Sequence, residues 1–221
     1  MVHNGYYHIK KYLIVNLLLI YIIFRGEIEL KKIEQILEFM VEIEKLKDVK
    51  RKSKPVGLKR YENSAEHSWH VCLSALMLKD YANEKINIDR VIKMLLIHDL
   101  GEIDSGDTII YESEKKELKE NEANGVRRLL DILPEGKTDE YMELWYEFEL
   151  GETSDSKFAK AIDRVPPLLH NLYGEGHSWV ENNIPKEKVF SLNSRISEGS
   201  KSLWAIIEDK LNKAVSDGIL K

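Results

Sequence analysis

The sequence has one cysteine in 221 residues, which excludes an internal disulfide. Cys72 lies in an apolar helical segment and is expected to be a small core residue. Nothing in the chain therefore requires an oxidising compartment, and a cytoplasmic location is expected. An overall basic charge is also absent, since the net charge is −5 at pH 7. A general nucleic-acid binder is usually basic, so this composition argues against nucleic acid as a partner.

The sequence also lacks alternating strand patterns longer than a few residues, internal repeats and low-complexity tracts. Apolar residues recur instead at spacings of three and four, which is the period of an amphipathic helix. The first such stripe consists of Ile33, Leu37, Met40 and Val41. A chain of this length can bury one substantial core without needing two domains. The predicted fold class is therefore all-α, in a single helical bundle.

The N-terminal segment is unusual, because residues 12–24 form an apolar run of 13 with Asn16 as its one strongly polar member. As a helix this run would be about 20 Å long, against about 30 Å of bilayer hydrocarbon, and no small-residue cleavage site follows it. Residues 25–30, RGEIEL, are what a purine-rich ribosome-binding site followed by an alternative start codon would encode if it were translated. Residues 1–27 are therefore predicted to be a doubtful extension from a mis-assigned start, with a membrane anchor or buried helix as alternatives. Residues 28–221 are predicted to form the domain.

One basic segment departs from the acidic balance of the chain. Residues 45–60 contain eight basic side chains and one acid, together with Pro55 and Gly57. One interpretation is a solvated basic loop. The other is a rim that faces an anion, for which the planar guanidinium of arginine is well shaped.

The helix that follows this segment has a recognisable start. Asn63 with Glu66 three residues later fits a capping box, so a helix is predicted to begin there. His67 lies on the same face as the apolar residues Val71 and Ala75. The next helix is predicted to start after Asp89 and to end near Gly101.

Two later segments also carry structural signals. The segment 156–173 has a helical period, but Pro166 and Pro167 should kink it just after Asp163. The stretch 171–181, NLYGEGHSWVE, follows it and is rich in glycine and aromatic residues. It is expected to line a substrate mouth or an oligomer contact.

Four polar residues stand on otherwise apolar helices and need compensating partners if they are buried. They are His67, His98, Asp99 and Asp163. Two imidazoles and two carboxylates suit a borderline divalent ion such as Mn, Co, Zn or Fe. For His70, His170 and His177 a purely structural role is expected instead.

The pattern His67…His98-Asp99…Asp163 resembles that of the HD-domain metal-dependent phosphohydrolases, which are named for the His-Asp doublet. The similarity continues in RYENSAEHSWHV, IHDLGEIDSGDT and FAKAIDR, and it covers roughly residues 30–210. These segments resemble the branch that contains bacterial 5′-deoxynucleotidases and their eukaryotic relatives. The resemblance implies an all-helical fold and hydrolysis of deoxyribonucleoside 5′-monophosphates. It also implies one divalent metal held by the four residues above.

The resemblance assigns roles to further residues. Glu102 lies three residues beyond Asp99 and is expected to act as an acid or base on the bound water or the leaving oxygen. Asp107 follows Gly106 in a turn and is expected to contact the sugar. For both residues a structural alternative stays open: an exposed or supporting carboxylate for Glu102, and a turn-stabilising side chain for Asp107.

Similar enzymes place two arginines upstream of the first histidine to hold the phosphate. Arg60, seven residues before His67, fits this spacing well, whereas Arg51 needs a shift of one residue. The aromatic residue that commonly follows the second arginine is replaced here by Lys52. This departure leaves the preferred base undetermined. It keeps open an HD phosphohydrolase with another phosphorylated substrate.

The sequence gives less support to two further functions. A catalytically idle scaffold that binds a nucleotide is disfavoured by the intact ligand set and Glu102. A membrane-tethered interaction protein rests wholly on residues 12–24, and membrane association is not expected. Because similar enzymes are commonly dimers, a homodimer is expected.

Overall fold

A computed structural model of the protein describes residues 24–108 and 116–221, and the regular elements of these two stretches are helical. The predicted all-α fold is therefore confirmed. The α-helices are α1 (24–42), α2 (Ser64–Leu78), α3 (Ile88–Ile97), α4 (Glu102–Ser105), α5 (Lys116–Leu130), α6 (Lys137–Leu150), α7 (Ser154–Asp163), α8 (Val165–Leu172), α9 (His177–Glu181), α10 (Lys186–Asn193), α11 (Ile196–Gly199) and α12 (Lys201–Ser216). Short 3-10 helices extend α1 (Ile43–Lys47) and α2 (Lys79–Tyr81).

The capping box predicted at the start of α2 is present. The Asn63 side chain accepts a hydrogen bond from the Glu66 amide, and the Glu66 carboxylate accepts one from the Asn63 amide. Such a cap contributes about 1 kcal/mol to stability. Helix α3 begins at Ile88, slightly before the predicted start, because the Asn87 side chain caps its first amides. Helices α2 and α3, which lead to His67 and His98, are thus fixed at their N-termini by local sequence.

Helix α7 lies at the centre of the bundle and packs against α2, α3, α6 and α11. Its Phe158 and Ile162 are fully buried, as are Val71 on α2 and Leu95 on α3. Each such side chain stabilises the fold by about 1.5–3 kcal/mol. His67 belongs to this buried α2 face, as the apolar spacing predicted. The end of α7 is therefore held rigidly beside the first turn of α2 and the end of α3.

A second apolar cluster is built mainly from the C-terminal helices and meets the first at α7. Neighbouring residues of that helix divide between the two clusters, with Ile162 in the first and Ala161 in the second. Cys72 is buried in the first cluster, as expected, and burial raises the pKa of its thiol to about 11. The two clusters make one continuous scaffold around α7.

The apolar stripe predicted on helix α1 is not buried in the structure. Ile33, Leu37, Met40 and Val41 are 48–71% exposed, whereas Phe39 on the same helix packs against the core. The predicted boundary at residue 28 falls within this helix. Most of the apolar run at 12–24 lies outside the described residues. None of the helices in the described ranges combines the length and apolar character needed to cross a bilayer.

The proline pair divides the long helical segment where the sequence predicted. Helix α7 ends at Asp163, and α8 begins at Val165 with a proline in its first turn. Proline lacks the amide hydrogen that would continue the helical ladder, and its ring restricts the residue before it. Asp163 therefore occupies a helix end, where its side chain meets those of α2 and α3.

Helix α3 was expected to end near Gly101, and it ends slightly earlier, at Ile97. The φ of Gly101 is −62°, a right-handed value that other residues also adopt, so backbone conformation does not require glycine there. A β-carbon at this position would lie 2.6 Å from the carbonyl oxygen of Glu122. Glycine is needed here because the start of α4 approaches the α5 backbone closely.

We expect Gly101→Ala to lower the stability of the fold by about 1–3 kcal/mol, because backbone rather than a flexible side chain must move. For a chain of this size the melting temperature should fall by roughly 2–4 °C per kcal/mol, measurable by differential scanning calorimetry. Gly26→Ala, with open space around its β-carbon, is the matched control. An unchanged melting temperature for Gly101→Ala would contradict the close approach.

Candidate metal centre and active-site cavity

Three candidate ligands from different parts of the chain meet at one point. His67 is in the first turn of α2, His98 directly follows α3, and Asp163 ends α7. Their ligand atoms lie within 4.8 Å of one another. Asp163 Oδ1 is 2.8 Å from His67 Nε2 and 3.3 Å from His98 Nε2. This arrangement concentrates one carboxylate and two imidazoles around a space suited to a single cation.

Asp99 lies beside this group. Its Oδ1 is 3.1 Å from His98 Nε2, and its Oδ2 is 4.0 Å from His67 Nε2. The same Oδ2 accepts a hydrogen bond of 2.6 Å from the Arg51 guanidinium. All four residues predicted as ligands are therefore brought together by the fold.

The orientation of His98 provides a test of whether the site fits a metal. Its Nδ1 is 2.8 Å from the Leu95 carbonyl oxygen, so in the neutral ring Nδ1 carries the hydrogen and Nε2 has the lone pair. That Nε2 is buried and has no hydrogen-bond partner among the described residues. Trp145 donates a hydrogen bond to the His98 carbonyl, and the Phe148 ring packs against the imidazole. This lone pair and the two nearby carboxylates are all electron donors that face one another. A divalent cation between them would bind all three.

His67 has a carboxylate behind it. Its Nδ1 lies 3.5 Å from Oε2 of Glu62, while its Nε2 faces Asp163. Metal-bound histidines usually direct their second nitrogen at such a group, which orients the ring and strengthens the ligand. Glu62 is 2% exposed and was not predicted as a site residue. Burial of a single glutamate just before a helix cap leaves no periodic signal in a sequence.

The electrostatics of the group also favour a cation. Burial alone would raise the pKa of Asp163, but the close contacts with the His67 and His98 imidazoles hold it well below its usual range. For His98 the burial effect is downward, and the charges of Asp99 and Asp163 outweigh it and raise the pKa to about 9. The acids thus stabilise positive charge at this point, whether it is carried by a proton or by a metal ion.

Glu102 and Asp107 complete the acidic side of the site. Glu102 is the first residue of α4, and its Oε2 accepts a hydrogen bond of 2.5 Å from the Ser64 hydroxyl. Burial and the neighbouring Asp99 charge raise the pKa of Glu102 well above its usual range. Burial likewise raises the pKa of Asp107. The raised pKa of Glu102 favours the protonated form that a general acid needs.

Arg51 lies at the centre of these acids. Its guanidinium is 2.6 Å from Asp99 and 3.6–3.7 Å from the carboxylates of Glu62, Glu102 and Asp107. The backbone places it there, because the Arg51 amide donates to the Glu62 carbonyl in a short antiparallel pairing. One guanidinium cannot neutralise all the carboxylates around it, and this excess leaves room for a further cation.

Arg60, the arginine that fitted the expected spacing better, lies elsewhere. Its side chain is 56% exposed and pairs with Glu66 at 2.5 and 2.8 Å. It does not line the cavity that holds the candidate ligands. Its predicted role in phosphate binding is not supported by this position, and the geometry favours Arg51 instead.

A cavity of about 380 Å³ opens in front of the site. One part of its wall is formed by His98 and the acids Asp99, Glu102, Asp107 and Asp163. Cationic side chains form much of the remainder: Arg51, Lys52, Lys119, Lys160, Arg164 and Arg195. Asn171 and Ser178 also line it, which supports the first of the two roles expected for residues 171–181. Its size suits a small ligand, and its cations suit an anionic one.

An all-helical fold that joins a His-Asp doublet to a second histidine and a distant aspartate defines a class of protein. A family model described as the HD domain matches residues 43–204. The chain belongs to this HD-domain family.

Individual relatives narrow the comparison. The crystal structure of a predicted metal-dependent phosphohydrolase from Magnetospirillum magnetotacticum is similar, with a TM-score of 0.82 and 42% identity over 86% of this chain and 96% of that one. The 5′-deoxynucleotidase of Vibrio cholerae is 32% identical over 62% of this chain and 75% of that protein. Human 5′-deoxynucleotidase HDDC2 is 29% identical over 51% of this chain. The chain spans about half the length of the human and bovine HDDC2 proteins, 54% in each case.

Proposed function

We propose that this protein is a metal-dependent phosphomonoesterase that hydrolyses deoxyribonucleoside 5′-monophosphates to the deoxyribonucleoside and phosphate. The carrying observation is the cluster of His67, His98 and Asp163 beside Asp99, at a cavity lined by both acids and cations. The substrate class is supported by the similarity to enzymes named 5′-deoxynucleotidases. Residues 28–221 form the catalytic domain in this proposal.

The donor set suits one divalent ion such as Mn, Co, Zn or Fe, held by His67, His98, Asp99 and Asp163. When bound, such an ion lowers the pKa of its water and draws charge from a phosphoryl oxygen. The chain itself orients the donors, through the Leu95 carbonyl behind His98 and through Glu62 behind His67.

The remaining residues bind and position the substrate. Arg51 and Lys52 hold the phosphate from one side of the cavity, and Lys160, Arg164 and Arg195 supply charge from its other walls. Glu102 moves a proton to or from the oxygen that joins phosphate and sugar. Asp107 accepts a hydrogen bond from a sugar hydroxyl. The stripe exposed on α1 supports the expected homodimer, because paired helices would bury its apolar side chains.

A phosphate-release screen tests the proposal. Chelated protein is reloaded with Co²⁺, Mn²⁺, Zn²⁺ or Mg²⁺ and assayed against ribo- and deoxyribonucleoside monophosphates and other phosphorylated metabolites. We expect release from deoxyribonucleoside monophosphates, with metal-free protein as the inactive control. No release from any monophosphate with any metal would refute the activity. Release from another phosphorylated metabolite alone would favour an HD phosphohydrolase with a different substrate. Lys52, in place of the usual aromatic residue, leaves that alternative open.

The two arginines provide a paired prediction. Arg51→Ala should lower kcat/KM on the order of 10²-fold, because a buried charge-assisted contact to phosphate is worth about 1.5–3 kcal/mol. Arg60→Ala should stay within about twofold, since its exposed pair with Glu66 lies outside the cavity and contributes little. Steady-state kinetics on the two purified variants, with metal content measured in parallel, decides between them. A larger loss of kcat/KM in Arg60→Ala than in Arg51→Ala would assign phosphate binding to Arg60 instead.

A further inference from the structure

A second cluster of potential metal ligands lies behind the candidate metal centre. It consists of Glu62, His70 and His170, whose ligand atoms lie within 4.8 Å of one another. His67 and His70 are three residues apart on α2, so their side chains leave the helix in neighbouring but different directions. His67 points at Asp163, and His70 points at a separate group contributed by the Glu62 segment and α8.

The His170 ring is held in one orientation by a hydroxyl group. Its Nδ1 is 3.0 Å from the Ser53 hydroxyl oxygen, and its Nε2 is 3.8 Å from Glu62 Oε1. In the tautomer whose Nδ1 donates to Ser53, Nε2 presents a lone pair to the carboxylate. A neutral imidazole with such a lone pair is the form in which histidine binds metals.

The distance between these two atoms is informative. At 3.8 Å, Nε2 and Oε1 are too far apart for a hydrogen bond, although both residues are 5% or less exposed. Two ligands bound tetrahedrally at about 2.0–2.1 Å from Zn²⁺ lie about 3.4 Å apart. A metal ion between them therefore fits after a shift of a few tenths of an ångström.

The cluster has an opening of its own. A cavity of about 320 Å³ reaches Glu62, His70 and His170, and its lining residues in the described chain are distinct from those of the candidate active-site cavity. Its other walls are mainly apolar: Pro55, Val56, Leu58, Trp69, Leu169 and Tyr173. A metal held by three protein groups would have an open coordination position facing this cavity, as in sites with two histidines and a glutamate.

We propose that Glu62, His70 and His170 form a second site for a borderline transition metal such as Zn²⁺ or Co²⁺. The site is separate from the one formed by His67, His98, Asp99 and Asp163. Glu62 lies between the two, because its other oxygen faces His67 Nδ1 at 3.5 Å and Arg51 Nε at 3.6 Å. The second site does not depend on the proposed phosphatase activity.

Metal stoichiometry tests the proposal without an activity assay. Chelator-treated protein is loaded with Co²⁺ or Zn²⁺ and desalted, and its metal content is measured by elemental mass spectrometry. Isothermal titration calorimetry gives the number of ions bound per chain. We expect two ions in the native protein, and one ion in each of the variants His70→Ala, His170→Ala and His98→Ala. The double variant His98→Ala/His170→Ala should retain none. Glu62 is left unchanged in these variants because it also faces His67.

His177→Ala is the matched control, since His177 belongs to neither ligand group, and it should keep two ions. His70 is only partly buried, so His70→Ala keeps the test valid if His170→Ala does not fold. One ion in the native protein, or two ions retained by folded His70→Ala, would overturn the second site. Loss of both ions from His98→Ala would also overturn its independence. Inactivity towards all phosphate esters would refute the proposed function and leave these stoichiometries unchanged.

Discussion

Replacement of Asp163 by alanine is expected to remove the bound divalent ion and to lower phosphate release on the order of 10³-fold or more. Asp163 is the acid that both histidines contact, at 2.8 and 3.3 Å. Removing it leaves two buried imidazoles with less negative charge to hold a cation. A bound ion supplies several kcal/mol of transition-state stabilisation, and each 1.36 kcal/mol is a factor of ten in rate.

The measurement is metal content by elemental mass spectrometry together with kcat/KM. Asp163→Asn serves as a second variant, because it keeps the volume of the side chain and removes its charge. Asp209→Ala, an exposed aspartate on α12, is the control and should behave as the native protein does. Full metal occupancy of this site in both Asp163 variants would show that the ligand set is misassigned.

Replacement of Glu102 by glutamine is expected to leave the metal in place and to lower kcat about 10²–10⁴-fold, the usual contribution of a general acid or base. Glutamine retains an oxygen that can accept the hydrogen bond from Ser64, so the fold around α4 should be preserved. It cannot transfer a proton as a carboxyl group does. The effect should therefore appear in turnover, with KM little changed.

Glu152→Gln, an exposed glutamate at the start of the α7 cap, is the control for the loss of one carboxylate. Equal metal content in the native protein and Glu102→Gln separates a catalytic effect from a loss of the metal. Unchanged turnover would remove Glu102 from the mechanism. Loss of metal would instead assign Glu102 to the metal centre.

Structural features that depend on a few neighbouring residues were predicted correctly from the sequence. The Asn63–Glu66 capping box and the break after Asp163 depend on neighbours within one helical turn, and both are present. The apolar face that carries His67 followed from helical spacing. The reason for glycine at position 101 could not be predicted, because it is the close approach of the α5 backbone, which is distant in sequence.

The two arginines show where spacing along the chain was insufficient. Arg60 matched the expected interval, but the segment after it turns its side chain outwards to Glu66. Arg51 was the weaker match, yet a backbone pairing with Glu62 places its guanidinium among the acids. Which of two nearby arginines enters a cavity depends on the path of the loop, and residue type does not encode that path.

By itself, the sequence determined the all-helical class, the polar groups that needed compensation on apolar faces, and the resemblance to HD phosphohydrolases. These depend on local periodicity and on residue chemistry, which can be read from a short stretch. Tertiary structure alone decided that Arg51 lies in the site, that Glu62 stands behind His67, and that His70 and His170 meet. Residues such as His70 and His170 are a hundred positions apart, and only the packing of α2 against α8 brings their side chains together. His70, for which the sequence suggested a purely structural role, thereby lies in a second group of potential ligands beside the first.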